Sequence, residues 1–311
     1  MRISRRTILK QTGYALAAAS VPYQRVSASL VNTKESSLTI GIVADPQYAD
    51  IPTLGTRHYR QSIRKLTDAV EHFNEQRVGM AVNLGDLIDR DWDSFEAMKS
   101  VLSKAAQPFY HVLGNHDFEV QEAKLREVPD RVGIPAKFYR VAAPGWRFLF
   151  LDTNDISMYA SADNMDERRE AEKILQEAKE QKLPQAQSWN GAIGSKQLAW
   201  IREECVQASN SDERVLLFAH HPIYPDNSHN LWNATALKEL IAEQRVIAAW
   251  MNGHNHAGNY GVWEEVPMIT FKGMVETESS NAYAVLTLER DGLDIAGTGR
   301  EPSRRVAFRK V

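Results

Sequence analysis

One cysteine, Cys205, is all that the chain has. An internal disulfide is therefore excluded, and so is a zinc knuckle, which needs several thiolates at fixed spacing. Its surroundings, QLAWIREECVQA, place it on a helix as an apolar filler. An excess of one charge is also missing: 37 Lys and Arg against 40 Asp and Glu leave a formal net charge of −3. That balance argues against broad nucleic-acid binding, which wants a basic face, but leaves room for a small anion in a local positive pocket. No apolar run is long enough to span a bilayer as a permanent helix, and repeats and low-complexity linkers are absent. With 43% hydrophobic and 25% charged residues among 311, the composition is that of a globular protein with a large core.

The N-terminus reads MRISRRTILKQTGYALAAASVPYQRVSASL. Arg5 and Arg6 precede a modest apolar stretch from Tyr14 to Val21, and the small residues Val26-Ser27-Ala28 follow it. This matches a twin-arginine export signal, with Ile8 where that pattern usually has Phe. Residues 1–28 are read as the signal, removed near Ala28 on export by the twin-arginine machinery to the periplasm or beyond. Residues 37–311 are read as one folded domain.

Beyond the signal, apolar runs of strand length stop abruptly at polar residues. SLTIGIVA runs into Asp45, GMAVNL into Gly85-Asp86, and PFYHVL into Gly114-Asn115-His116-Asp117. ERVLLFA runs into His220-His221, VIAAWMN into Gly253-His254-Asn255-His256, and RFLFLDT into Asp152. Short continuous apolar runs suit strands buried on both faces. Between several of them apolar residues recur at helical spacing, as Ile63, Leu66, Ala69, Val70 and Phe73 do. SFEAMKSVLSKA, SKQLAWIREECVQA and NATALKELIAEQ behave alike. Alternating strands and helices predict an α/β fold, in which sites form beyond the carboxyl ends of strands. The charged stretch from Tyr159 to Gln187 reads as a solvated helical insertion. PMITFKGM, NAYAVLTLE and LDIAGTGR read as successive strands, so the end of the chain is expected to be antiparallel.

Asp, Asn, Gln and His at these strand ends, without Cys, describe one shared site of oxygen and nitrogen ligands. Such a site suits Mn²⁺, Mg²⁺, Fe or Zn²⁺. Asp45, Gln47, Asp86, Asn115, His220, His254 and His256 exceed what one ion needs, which points to two. Two ions roughly 3.5–4 Å apart clamp a phosphoryl group.

In order, Asp45-Pro46-Gln47, Gly85-Asp86-Leu87-Ile88-Asp89, Gly114-Asn115-His116-Asp117, His220 and Gly253-His254-Asn255-His256 resemble the calcineurin-like metallophosphoesterase pattern. Gln47 within ADPQYAD, Trp189-Asn190-Gly191, His221-Pro222-Ile223-Tyr224-Pro225, Glu276-Thr277 and GTGREPSRR narrow the resemblance to the manganese-dependent ADP-ribose/CDP-alcohol diphosphatases. The resemblance implies an α/β sandwich of two mixed β-sheets flanked by helices. It implies two divalent ions, Mn²⁺ first, one on Asp45, Gln47, Asp86 and His256 and the other on Asp86, Asn115, His220 and His254. His116 would face the substrate, stabilising charge or protonating the leaving oxygen. Asp89 would hydrogen-bond it and favour the imidazolium. The implied reaction is in-line attack of a metal-bridging hydroxide on the phosphoanhydride of a nucleoside diphosphate-linked substrate. ADP-ribose would give AMP and ribose 5-phosphate, and a CDP-alcohol would give CMP and a phosphoalcohol.

The amide carbonyl of Gln47, in place of an imidazole, favours Mn²⁺ or Mg²⁺. Arg90 departs from the diphosphatase pattern and is a candidate grip for a terminal phosphate. It keeps open a second reading, a phosphomonoesterase or cyclic-nucleotide phosphodiesterase on the same site. A third, a metal- or ligand-binding protein without turnover, has no need of His116 and Asp89. Tyr48, Tyr224, Trp189 and Trp232 are candidates to stack on a base, and His221 is read as structural. Nothing in the sequence predicts an oligomer, so a monomer is expected.

Overall fold

The computed structural model describes residues 23–25, 38–161 and 165–310. Of the expected export signal it describes only the short strand Tyr23–Arg25 (β1), and the twin arginines lie outside the described residues. The first half then runs through β2 (Leu38–Val43), α1 (Ser62–Gln76), β3 (Met80–Asn83), α2 (Ser94–Leu102), β4 (Phe109–His111) and α3 (Val128–Val132). It continues through β5 (Tyr139–Ala143), β6 (Trp146–Phe150), β7 (Ile156–Ser157) and α4 (Met165–Glu180). The second half holds β8 (Gly191–Ala192), α5 (Ser195–Asn210), β9 (Arg214–Phe218), α6 (Ala234–Glu243) and β10 (Ile247–Asn252). Five strands close the chain: β11 (Asn259–Trp263), β12 (Val266–Thr270), β13 (Ala282–Leu288), β14 (Gly292–Gly299) and β15 (Arg304–Ala307).

Two mixed sheets result, as the resemblance implies. One has six strands in the order β15-β14-β13-β2-β3-β4, the other seven in the order β1-β5-β6-β9-β10-β12-β11. The strands that end in polar residues are the parallel ones: β2, β3 and β4 in the first sheet, β9 and β10 in the second. β13 pairs antiparallel with both β2 and β14, and β15 with β14, as expected for the end of the chain. β12 departs from that expectation, pairing parallel with β10 as well as antiparallel with β11.

Alternation along the strands builds two cores. Phe148, Phe150, Leu216, Phe218 and Met251 join Ile40 and Ile42 of the opposite sheet in one cluster. Their neighbours Leu149, Leu217 and Trp250 join Trp200, Ile201 and Cys205 of α5 and Leu237 and Leu240 of α6 in another. Strands covered on both faces read as continuous apolar runs for this reason. Cys205 is such a filler, and burial pushes its thiol up to about 12. Among the described residues, no helix is long and apolar enough to cross a membrane.

One expectation needs correction. The stretch from Tyr159 to Gln187 is not solvated all round: Ala171, Leu175 and Ala178 of α4 are buried, the first two against Ile156, Ala192 and Trp232. The small β7–β8 sheet gives that apolar stripe a partner.

Candidate metal centre

Five turns converge on one place. Asp45 and Gln47 follow β2, Asp86 follows β3, and Asn115 and His116 follow β4; His220 follows β9, and His254 and His256 follow β10. The site therefore joins the carboxyl edges of both sheets. The backbone bends sharply there: Asp45, Gln47, Asp86 and His254 have φ of 49°, 45°, 53° and 67°. Residues with a Cβ seldom adopt this left-handed region, and its clustering marks functional sites. Asp117 holds two of the turns together. Its carboxylate accepts the N–H groups of Asp86, Ile88 and Gly114 at 3.1, 3.2 and 2.9 Å. Gly85 is required by closeness as well as by its φ of +97°, since a Cβ there would lie 2.4 Å from His220 Nδ1.

The seven side chains meet in two groups that share Asp86. Gln47 Nε2 lies 2.9 Å from Asp86 Oδ2 and 3.2 Å from His256 Nε2, and His256 Nε2 lies 3.9 Å from Asp45 Oδ1. On the other side His220 Nε2 lies 3.4 Å from Asp86 Oδ2, 3.2 Å from Asn115 Oδ1 and 3.1 Å from His254 Nδ1. The outer nitrogen of each imidazole has a protein partner. His220 Nδ1 donates to Leu84 O at 2.8 Å, His254 Nε2 meets Asn190 Oδ1 at 2.9 Å, and His256 Nδ1 meets Glu276 Oε1 at 2.8 Å. Such partners fix which nitrogen of a metal-ligating His faces inward. Asn190 and Glu276 stand in segments that carry the resemblance, but nothing local to either marks it as a partner of an imidazole.

These residues fit a divalent pair. Asp45 and Asp86 are both 0% exposed, and among the described residues neither pairs with Lys or Arg. Their charged partners are imidazoles alone, and buried carboxylates are costly, so the pocket asks for positive charge. Burial raises the Asp45 carboxyl, outweighing His256 and His220 beside it. Burial opposes charge on Asp86 too, yet His220 and His116 hold it well below the usual carboxylate range. Burial likewise works against a proton on His220, but Asp86 and Asp45 lift that imidazole to about 9. Gln47 Oε1 is buried with no hydrogen-bond partner, an orphaned acceptor in the middle of the cluster. A cation answers all of these at once. His221 is buried beside the centre, 4.2 Å from the His254 ring between centroids, with Nδ1 2.8 Å from Thr153 Oγ1.

His116 stands at the edge of the cluster. Its main-chain N–H donates to Asp86 Oδ1 at 2.8 Å, and its Nδ1 lies 3.3 Å from the buried Asp89 Oδ1. Its Nε2 turns to a cleft of about 380 Å³ lined also by Arg57, Trp189 and His229. Arg57 is the residue that sequence reasoning missed. Its Nη1 is 3.5 Å from His116 Nε2 and 3.9 Å from Asp89 Oδ1. It lies in a loop, with no strand end or motif to flag it.

Four expected substrate contacts are placed differently. Arg90 is exposed and turns back on its neighbour, Nε donating to Asp89 Oδ2 at 2.7 Å, because that buried carboxylate is the nearest anion. Trp232 is 4% exposed, packs on Ile156 and Leu175, and gives its indole N–H to Gln187 O at 2.9 Å. Tyr224 packs against Trp263, 5.5 Å between ring centroids, where the second core attracts it. Tyr48 follows Gln47 but lines a neighbouring cleft of about 690 Å³ with Trp92 and Lys124. Only Trp189, 45% exposed, lines the cleft beside the metal centre. Arg57→Ala should therefore lower kcat/KM by roughly 10–100-fold, the worth of a charge-assisted hydrogen bond. Arg90→Ala should stay within about threefold, since a half-exposed ion pair contributes little. Steady-state kinetics on both variants checks this, and equal losses would return Arg90 to the substrate.

Residues 38–258 match the profile of the family described as calcineurin-like phosphoesterase. The chain is similar to the human manganese-dependent ADP-ribose/CDP-alcohol diphosphatase, at 27% identity over 91% of this chain and 96% of that one. The protein of the same name from Arabidopsis thaliana is 30% identical over 74% of this chain and 83% of its own. The crystal structure of a dimetal phosphatase from Danio rerio superposes with a TM-score of 0.79 at 25% identity, covering 88% of this chain and 100% of that one.

Proposed function

The chain belongs to the calcineurin-like phosphoesterase family, and from this we propose that it is a manganese-dependent diphosphatase of nucleoside diphosphate-linked substrates such as ADP-ribose and CDP-alcohols. The relatives that carry this name align along most of their length and most of this chain. The observation that carries the reading is a two-part ligand cluster with Arg57 at its edge, Nη1 3.5 Å from His116 Nε2. A guanidinium and an imidazole side by side at the edge of the cluster suit a phosphate oxygen.

Asp45, Gln47, Asp86 and His256 would hold one ion, and Asp86, Asn115, His220 and His254 the other. When bound, such a pair supplies positive charge against phosphoryl oxygens and makes water an available nucleophile near neutral pH. The protein does the rest. Arg57 binds and orients the diphosphate. His116 Nδ1 donates to the main-chain oxygen of Asp89 at 3.2 Å, with Asp89 Oδ1 3.3 Å away. Nε2 is thereby left facing the cleft, placed to give a proton to a leaving phosphate oxygen. Trp189 at the rim offers a face for a base. With Arg90 turned onto Asp89, the feature that favoured a phosphomonoesterase loses its support.

A panel of ADP-ribose, CDP-choline, p-nitrophenyl phosphate and bis-p-nitrophenyl phosphate, each with Mn²⁺ or Mg²⁺, tests this. Faster turnover of the two diphosphates with Mn²⁺ is expected, and preference for the monoester would overturn it. We further propose export by the twin-arginine route, on the strength of Arg5 and Arg6 ahead of the apolar stretch Tyr14 to Val21. Changing Arg5 and Arg6 together to Lys should keep the protein in the cytoplasm, and unchanged export would remove the idea.

A further inference from the structure

Residues 273–277 form a loop that walls one side of the metal centre. Met274 N–H donates to Ala44 O at 2.8 Å and Val275 N–H to Asp45 O at 3.0 Å, so the loop lies along the turn that carries Asp45 and Gln47. Gly273 packs against His256, where a Cβ would come within 2.7 Å of the ring. Glu276 then reaches that ring, Oε1 to Nδ1 at 2.8 Å. No hydrogen bond among the described residues joins this loop to Asn115, His220 or His254. The wall belongs to one half of the cluster.

A buried lysine on α1 gathers the carbonyls of the loop from its other side. Lys65 is 0% exposed, and its Nζ donates to the carbonyl oxygens of Met274 at 2.9 Å, Glu276 at 2.8 Å, and Thr277. An ammonium has three N–H donors, and all three are used. Burial, with Arg300 and Arg64 nearby, pulls this ammonium down to about 8, so keeping it there opposes folding. A lysine retained at such a cost, donating only to one short loop, acts on what that loop presents.

We propose that Lys65 is a positioning residue for one of the two metal positions. By clamping residues 274–277 it holds Glu276 on His256 Nδ1, and so keeps His256 Nε2 turned to Gln47 and Asp45. The proposal rests on the dinuclear reading given above. Mn²⁺ titration followed by the EPR signal of the free ion, with circular dichroism as a check on folding, separates the two.

Wild-type protein should take up two ions. Glu276→Ala should weaken one of them by about 10–100-fold and spare the other, the usual effect of removing an outer partner of a ligating His. Lys65→Met should weaken the same ion. Wild-type protein that binds fewer than two ions would overturn the dinuclear reading and this proposal with it. Two ions in the wild type, but equal weakening of both or of neither in Glu276→Ala, would overturn this proposal alone. So would a folded Lys65→Met protein with wild-type affinities. Should Lys65→Met not fold, Thr277→Pro, which keeps the carbonyl but re-sets the loop from its φ of 64°, takes its place under the same criteria.

Discussion

Replacing His116 with alanine should lower kcat on ADP-ribose by about 10²–10⁴-fold, the range of a general acid, while two metal ions stay bound. The geometry separates the two effects. The contact that His116 makes with the cluster is its main-chain N–H to Asp86 Oδ1, and alanine keeps it. Its side chain instead faces Asp89 and the cleft, with Arg57 3.5 Å from Nε2. The loss should depend on the leaving group. A nucleoside monophosphate leaves more readily when its oxygen is protonated, whereas p-nitrophenolate leaves unaided. Bis-p-nitrophenyl phosphate should therefore lose much less than ADP-ribose in the variant. Equal losses on both substrates would make His116 a binding group, and loss of metal would make it part of the ligand set.

The cluster was legible because side-chain chemistry changes abruptly at each strand end while burial does not. Val43 and Ala44 are buried apolar residues and Asp45 is a buried carboxylate, a juxtaposition that an ordinary core does not tolerate. What surrounds the cluster was less legible. Asn190, Glu276 and Arg57 come from loops far along the chain, and only the fold brings them beside His254, His256 and His116. Aromatic identity alone misled at Tyr224 and Trp232, because a ring that stacks on a base also packs on a core: Trp232 fills one and Tyr224 lies against another. In α4 the apolar spacing of Ala171, Leu175 and Ala178 was present but outnumbered by charge. Its partner, the β7–β8 pair, is a tertiary fact.

Asp86→Asn should have the larger effect on metal. The carboxylate touches side chains of both halves, with Gln47 Nε2 at 2.9 Å and His220 Nε2 at 3.4 Å from the same oxygen. The amide keeps the shape and an acceptor for the His116 N–H, but it removes the charge that two cations would share. An outer partner alone is worth about 10–100-fold in metal affinity, so a shared ligand should cost roughly 10³-fold or more and abolish turnover at ordinary Mn²⁺ concentrations. Stability offers a second readout. Mn²⁺ at about 100 times its Kd should stabilise the wild type by about 2.7 kcal/mol, or roughly 5–10 °C in Tm for a domain of this size. The variant should show little of that shift. Without metal it should be less stable than the wild type near neutral pH, since His220 and His116 hold the Asp86 carboxyl well below the usual carboxylate range and its charge therefore favours the folded state. Thermal melts of both proteins, with Mn²⁺ and after chelation, decide the matter. A variant that keeps the wild-type Mn²⁺-induced shift would mean that Asp86 holds the turn after β3 rather than the ions.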